Sequence, residues 1–363
     1  MRFELDEKNL SKLLMLFSVS ENNIDVLEFL RGYLENYPTI IERDEVMNNL
    51  ASLGIDNAFV YTLISSFNLD YEHPLIKKIT RDYLLKGIHH LSAKDYENNP
   101  YYKNIKIKNK KEGNWELKQD QYKAFEGFVY KSHEIVKEDY YKEIPSIGFF
   151  LKDFSFPAVY ENDNMWMSVT PNEINTMKEA VDLSHGKVIT FGLGLGYFTY
   201  MVSLKDDVSD VYVVEKDDKV ISLFQKEILP QFEHKEKIHI IKDDAFKYMR
   251  ENDMSEYDSI FVDIWHDASD GLELYLQSLK YLQNVNAMYW IEDSIILLFR
   301  KMVISLLKDA YIGEVTDYQT YRTEYLYTRH ITKDDVYHSY DEIEQLLSDE
   351  SLKKILIKIA NIY

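Results

Sequence analysis

The chain has 363 residues, 45% of them hydrophobic and 29% charged, with a formal net charge of −20 at pH 7 and no cysteine. That balance describes a globular chain with room for about two domains. It excludes disulfides, thiolate catalysis and cysteine-ligated zinc, and a surface this acidic argues against nucleic acid as a partner.

The opening residues, Met1 to Asp6, lack the apolar core of a signal peptide. The longest apolar stretch, Ile295 to Leu307, carries Arg300 and Lys301 and is too short to span a bilayer. The expectation is a cytoplasmic protein without membrane association. Residues 6–92 read as helical. Leu10, Leu13, Leu14 and Phe17 recur at helical spacing, as do Val26, Leu27, Leu30 and Leu34, with breaks expected at Asn22-Asn23, Pro38 and His73-Pro74. Residues 94–114 are polar and read as a loop, whose Lys103, Lys106, Lys108, Lys110 and Lys111 are expected to be solvated. A further helix is expected from Glu116 to Lys137, which makes residues 1–140 an all-helical N-terminal domain.

From Ile147 the pattern changes to strands at 147–151, 157–160 and 165–167, with a turn at Asn162-Asp163-Asn164. Residues 146–168 are thus expected as a small β-hairpin element. Thr170-Pro171-Asn172-Glu173 reads as a capping box with proline at the first helical position, opening a helix to about Asp182. Strand and helix then alternate. Strands are expected at 187–191, 210–215, 238–242, 257–263 and 286–291, and helices at 196–204, 217–228, 244–251, 271–283 and 293–309. Asp270-Gly271-Leu272-Glu273 reads as the cap of the fourth of these helices. The fold class is therefore α/β, a Rossmann-like, mostly parallel sheet with helices on both faces, spanning 169–330. Residues 334–363 read as a tail of two short helices.

Four of these strands end in residues suited to ligand binding, at the edge of the sheet where open α/β folds place their sites. Gly192, Gly194 and Gly196 lie between a strand and a helix, where bare backbone can approach a ligand. Glu215 ends the next strand, about twenty residues on, where a carboxylate can accept from both hydroxyls of a ribose. Asp243-Asp244-Ala245 ends the third. A carboxylate there can accept from an exocyclic adenine amine, and Asp244 is equally suited to capping its own helix. Asp263 ends the fourth, with Trp265, His266, Asp267 and Asp270 behind it. Trp166, Trp265 and Tyr197 are placed to wall the site or to fill the core. His89-His90 and the His234 and His239 pair lack a metal-ligand constellation, and no metal is expected.

In this order, Phe191 to Gly196, Val214-Glu215, Asp244-Ala245 and Val262-Asp263 resemble the class I S-adenosylmethionine-dependent methyltransferase superfamily, in its spermidine-synthase-like branch. The resemblance covers roughly 165–300. It implies a sheet with an antiparallel final strand and S-adenosylmethionine as cofactor. Gly192, Gly194 and Gly196 would approach the methionine part, Glu215 the ribose, Asp244-Ala245 the adenine, and Asp263 the reacting end. Asp263, His266 and Asp267 are the acid/base candidates, since methyl transfer asks for positioning and, where the acceptor carries a proton, a base. The expected function is methyl transfer to an unidentified acceptor, a small molecule before a macromolecule, with a homo-oligomer left open. Two departures bear on alternatives. Thr190 stands where many methyltransferases carry an acid, and Leu195 where aminopropyltransferases carry an aspartate. Aminopropyl transfer to an amine, and a non-catalytic binding or scaffold protein, are the competing readings. The third glycine falls one residue early for a dinucleotide fingerprint, with Tyr197 in the required place.

Overall fold

A computed structural model of the chain describes residues 1–313 and 335–362. The chain opens with a long helix, α1 (Glu7–Asn36), capped by the Asp6 carboxylate, which accepts from the Asn9 N–H at 2.8 Å. The break expected at Asn22-Asn23 does not occur. Both residues are buried within α1, and Asn23 finds its partners in another element: its amide donates to the Tyr141 carbonyl at 2.9 Å and accepts from the Glu143 N–H at 3.1 Å. Tertiary pairing here overrides the weak helix propensity of asparagine. Two shorter helices, α2 (Arg43–Leu53) and α3 (Ile55–Ser66), complete the first bundle. They share a core with the second half of α1 and with a strand at Ile147–Phe149. The first half of α1, through Leu13, Leu16 and Phe17, packs into the other, larger core.

The expected helix from Glu116 to Lys137 is a correction. The segment forms a strand, β2 (Trp115–Tyr122), preceded by β1 (Lys110–Glu112), and both pair antiparallel with their neighbours. Trp115 and Leu117 are buried while Glu116 and Lys118 are only partly so, the two-residue period of a half-buried strand. Residues 93–97 and 100–104, expected as loop, are short helices. Next come β3 (Phe154–Glu161) and β4 (Asn164–Ser168), which make the expected hairpin about Asn162-Asp163. The four strands form one sheet in the order β4-β3-β2-β1. Ile147–Phe149, which the sequence reading joined to the hairpin, belongs to a separate sheet with Ile88–His90 and Phe128–Val129.

From Pro171 the alternation follows the sequence reading closely. In chain order it runs α4 (Pro171–Leu183), β5 (Gly186–Phe191), α5 (Tyr197–Ser203), β6 (Val208–Glu215), α6 (Asp218–Leu223), β7 (Ile238–Lys242), α7 (Ala245–Glu251), β8 (Ser259–Val262), α8 (Ala268–Leu282), β9 (Ala287–Tyr289) and α9 (Glu292–Ile312). The strand order is β7-β6-β5-β8-β9 and every pairing is parallel. Val188, Ile189 and Phe191 of β5 are fully buried, as befits the central strand of a sheet covered on both faces. The order reverses between β5 and β8, so their outgoing loops part and leave a crevice at the carboxyl edge. The antiparallel final strand implied by the resemblance, and the end of the 169–330 region, lie outside the described residues.

The tail forms its two helices, Tyr340–Leu346 and α10 (Asp349–Ala360), and α10 packs against α8 and α9, burying Leu352, Leu356 and Ile359. Among the described residues no helix is long and apolar enough to cross a membrane; α9, which holds the Ile295 to Leu307 stretch, carries Arg300 at 2% exposure. Arg300 donates through Nε to the Leu347 carbonyl at 2.9 Å and pairs with Asp349, so one buried cation ties the tail to α9. Removing one partner of such a pair strands the other polar groups. Arg300→Ala should lower unfolding stability by about 3 kcal/mol in a denaturant titration, with loss of protection in α10; an unchanged midpoint would count against the tether.

Candidate functional site

The loops at the carboxyl edge are set side by side by backbone hydrogen bonds that outlast the strands. The Gly192 N–H donates to the Val214 carbonyl at 3.0 Å, Asp263 N–H to Phe191 at 2.9 Å, and Asp243 N–H to Glu215 at 3.2 Å. The three glycines of the turn all have positive φ, at 98°, 48° and 71°. Their reasons differ. A Cβ on Gly192 would strike the Asp263 carbonyl oxygen, and one on Gly196 would strike the Phe224 ring. Both are therefore required by packing of the chain on itself. Gly196, expected to approach a ligand, caps α5 and does not line the cavity. Gly192 and Gly194 do line it, and the Met167 thioether lies on the face of Gly194.

Glu215 turns toward the glycine turn. Its Oε2 accepts from the Leu193 N–H at 3.3 Å and its Oε1 from the Asp217 N–H at 2.8 Å. Each oxygen retains a second lone pair, and the side chain lines the cavity. Asp244 has both of the roles open to it by position. It caps α7, accepting from the Lys247 N–H at 2.9 Å, and with Ala245 it borders the same cavity.

The cavity measures about 810 Å³ and lies between the carboxyl edge of the parallel sheet and the β1–β4 sheet, which contributes Trp115, Met165, Trp166 and Met167. Sequence reasoning missed Trp115 and Met167, because the first fell between the expected loop and helix and the second was given only a place in a strand. The alternation of Trp115 and Leu117 with charged residues was the available signal. Trp166 is 44% exposed and packs edge-on against Trp115, at 5.6 Å between centroids, and against His266, at 4.4 Å. Trp265 is a buried wall whose Nε1 donates to the Trp290 carbonyl at 3.2 Å. Tyr197 is core: buried, with its hydroxyl accepting from the Asn99 amide at 3.0 Å, and away from the cavity.

The acid/base candidates separate. Asp263 stands deep in the cavity. His266 is exposed at its mouth, with Nδ1 3.1 Å from the Asp270 carboxylate. Asp267 lies outside and caps α8, accepting from the Ser269 N–H at 2.6 Å and the Asp270 N–H at 3.3 Å. The cap expected at Asp270 with Glu273 is thus made by Asp267 with Asp270 instead, so α8 begins three residues earlier.

Thr170-Pro171-Asn172-Glu173 does open α4, but the capping box does not form, since Thr170 makes no side-chain cap bond. Glu173 is released from that task. It is 9% exposed, borders the same cavity as Asp263, and its Oε2 has no hydrogen-bond partner. Burial, and then the Asp263 charge, hold the Glu173 carboxyl well above the usual range; burial lifts Asp263 to about 7. Two acids that resist ionisation together favour a shared proton or a bound cation.

A parallel sheet ordered β7-β6-β5-β8-β9 carries the glycine turn, Glu215, Asp244 and Asp263 on successive strand ends around one cavity. The fold class is α/β, a Rossmann-like parallel sheet with helices packed on it. No protein-family model matches the chain, and no curated protein matches its sequence. Among solved structures it is similar to spermidine synthase from Thermotoga maritima, at 16% identity and a TM-score of 0.26, over 34% of this chain and 48% of that one. It is similar to a Streptococcus mutans protein assigned as an S-adenosylmethionine-dependent methyltransferase, at 16% identity and 0.26, over 35% of this chain and 36% of that one. It is also similar to MnmC2 from Aquifex aeolicus, at 13% identity and 0.27, over 57% and 80%. The chain thus spans less than half the length of the first two.

The raised acids make stability depend on pH. Because the folded state disfavours their charged forms, the penalty is absent while both are protonated and grows as pH rises from the ordinary carboxylate range through about 7. Asp263→Asn should therefore raise the melting temperature relative to the native protein, by more at about pH 8 than at about pH 5, where only the first part of the penalty has developed. Parallel melting curves at both values would show that the pair carries no such penalty.

Proposed function

We propose that the chain binds S-adenosylmethionine in this cavity and transfers its methyl group to a small-molecule acceptor. The observation that carries the reading is the convergence of Gly192, Gly194, Glu215, Asp244 and Ala245, from three successive strand ends, on one 810 Å³ space. The residues fit the group. The free lone pairs of Glu215 suit a ribose diol, the Ala245 edge suits an adenine, and an unpartnered Glu173 carboxylate beside Asp263 suits positive charge. When bound, S-adenosylmethionine supplies a sulfonium-activated methyl group. The protein's part is positioning. The loops after β5 and β6 orient the nucleoside, and Trp115 and Trp166 close the far wall. Asp263 is placed to accept a proton from an acceptor, and its raised affinity for protons near neutrality suits a general base.

Aminopropyl transfer is the weaker reading, because Leu195 is 1% exposed and its side chain belongs to the core. Product analysis with S-adenosylmethionine, its decarboxylated form and putrescine separates the two. Isothermal calorimetry tests the donor. The native protein should bind S-adenosylmethionine, and Glu215→Ala should weaken binding by about tenfold or more, as expected for losing a charged acceptor to two hydroxyls. No binding by the native protein, or equal binding by the variant, rejects the assignment.

A further inference from the structure

The turn from β9 into α9 holds an isoleucine in a backbone conformation that favours glycine. Ile291 has φ 48° and ψ 32° and stands at the N-cap of α9 without a side-chain cap bond. A β-branched residue is strained there, and it persists only where its neighbours over-determine it. On the side of the site the neighbour is Trp290. Its N–H donates to the Val262 carbonyl at 2.9 Å, its carbonyl accepts from Trp265 Nε1 at 3.2 Å, and its own Nε1 donates to the Thr176 hydroxyl of α4 at 3.0 Å. Trp290 therefore grips the chain on both sides of Asp263. Trp265 and Trp290 are buried, and both line the cavity.

On the other side the neighbour is Glu292. Its Oε1 accepts from the Tyr275 hydroxyl of α8 at 2.5 Å, and its Oε2 from Lys353 Nζ of α10 at 2.8 Å. Tyr275 is fixed in the core, whereas Lys353 reaches Glu292 only while α10 is docked. Among the described residues, α10 contributes none to the lining of the cavity. We infer that Lys353 is nonetheless a positioning residue of the candidate site: the C-terminal helix sets the Trp265–Trp290 wall by holding Glu292 across the strained turn. The two side chains are 42% and 24% exposed, and an ion pair so placed adds little to folding stability. What it fixes is the direction in which α9 leaves Trp290. That this wall serves a cofactor rests on the S-adenosylmethionine reading above; the link from tail to wall does not.

The four tryptophans of the chain, Trp115, Trp166, Trp265 and Trp290, all line the cavity, so intrinsic emission reports on the site alone. Lys353→Met keeps the aliphatic stem and removes the charge. In the folded variant the emission maximum should move to longer wavelength as water reaches the wall. Affinity for S-adenosylhomocysteine should fall about threefold or more by calorimetry, and Lys353→Arg should restore both. Lys354→Met is the control. Lys354 is the next residue of the same helix and pairs instead with Glu350 at 2.6 Å, so its loss should change neither readout. Tyr275→Phe removes the other bond to Glu292 and keeps the ring. It should shift the emission in the same direction, and it carries the comparison should Lys353→Met fail to fold. Unchanged emission in folded Lys353→Met, or equal shifts in Lys353→Met and Lys354→Met, overturns the proposal. A lowered melting temperature with native emission does so too, since the pair would then be merely structural. A native protein that does not bind S-adenosylhomocysteine brings down the cofactor reading, and the emission comparison still decides the link.

Discussion

Everything at the carboxyl edge depends on how closely the end of β8 passes the end of β5. The Asp263 carbonyl lies where a Cβ on residue 192 would be, and the Asp263 N–H holds the Phe191 carbonyl at 2.9 Å. A side chain at 192 would push β8 away at the one place where the strand order reverses. That single approach fixes the distance between the glycine turn and Asp263, and with it the floor of the cavity. Glu215 then fixes the other side, since one carboxylate holds both the turn through Leu193 and the start of the next loop through Asp217.

The acidic composition acquires local meaning there. Most carboxylates around the cavity serve the fold: Asp217 and Asp244 cap helices and Asp243 neutralises a lysine. These groups cost little, because each has donors or a counter-charge. Glu173 and Asp263 are different. They border the same cavity without a counter-charge, so the folded chain carries their ionised forms at an energetic cost. Strain of that kind collects where a ligand is meant to relieve it.

Much of the domain was legible in the sequence. Buried parallel strands read as apolar runs, and helices between them open on Asp217 and Asp244, so the periodicity and caps agreed on nearly every boundary from 186 to 312. The glycine turn and Glu215 were legible because both are tied to strand ends. What failed was non-local. Residues 115–122 are a strand because they pair with 154–161, some forty residues away, and only their alternation hinted at it. Asn22-Asn23 looked like a break because the partners of Asn23, at Tyr141 and Glu143, are invisible to a local window, while Asn22 donates to the Ser18 carbonyl one turn back. Glu173 matched a capping box by spacing, yet its side chain turned into the cavity; Asp267 looked like part of the chemistry and became the cap. The same residue types serve caps and sites, and spacing alone does not distinguish them.

The differing reasons for the glycines have a consequence for how such a chain would change over time. Gly192 and Gly196 are held by collisions inside the protein, with a carbonyl and with a phenyl ring, whether or not anything ever binds. A descendant that had abandoned its ligand would still need them, and would still display the turn. It would have no need of two unpaired acids in an enclosed space, and replacing Glu173 would make it sturdier. Gly192 and Gly196 therefore testify to architecture, and Glu173 and Asp263 are the residues whose replacement would record the loss of the proposed ligand.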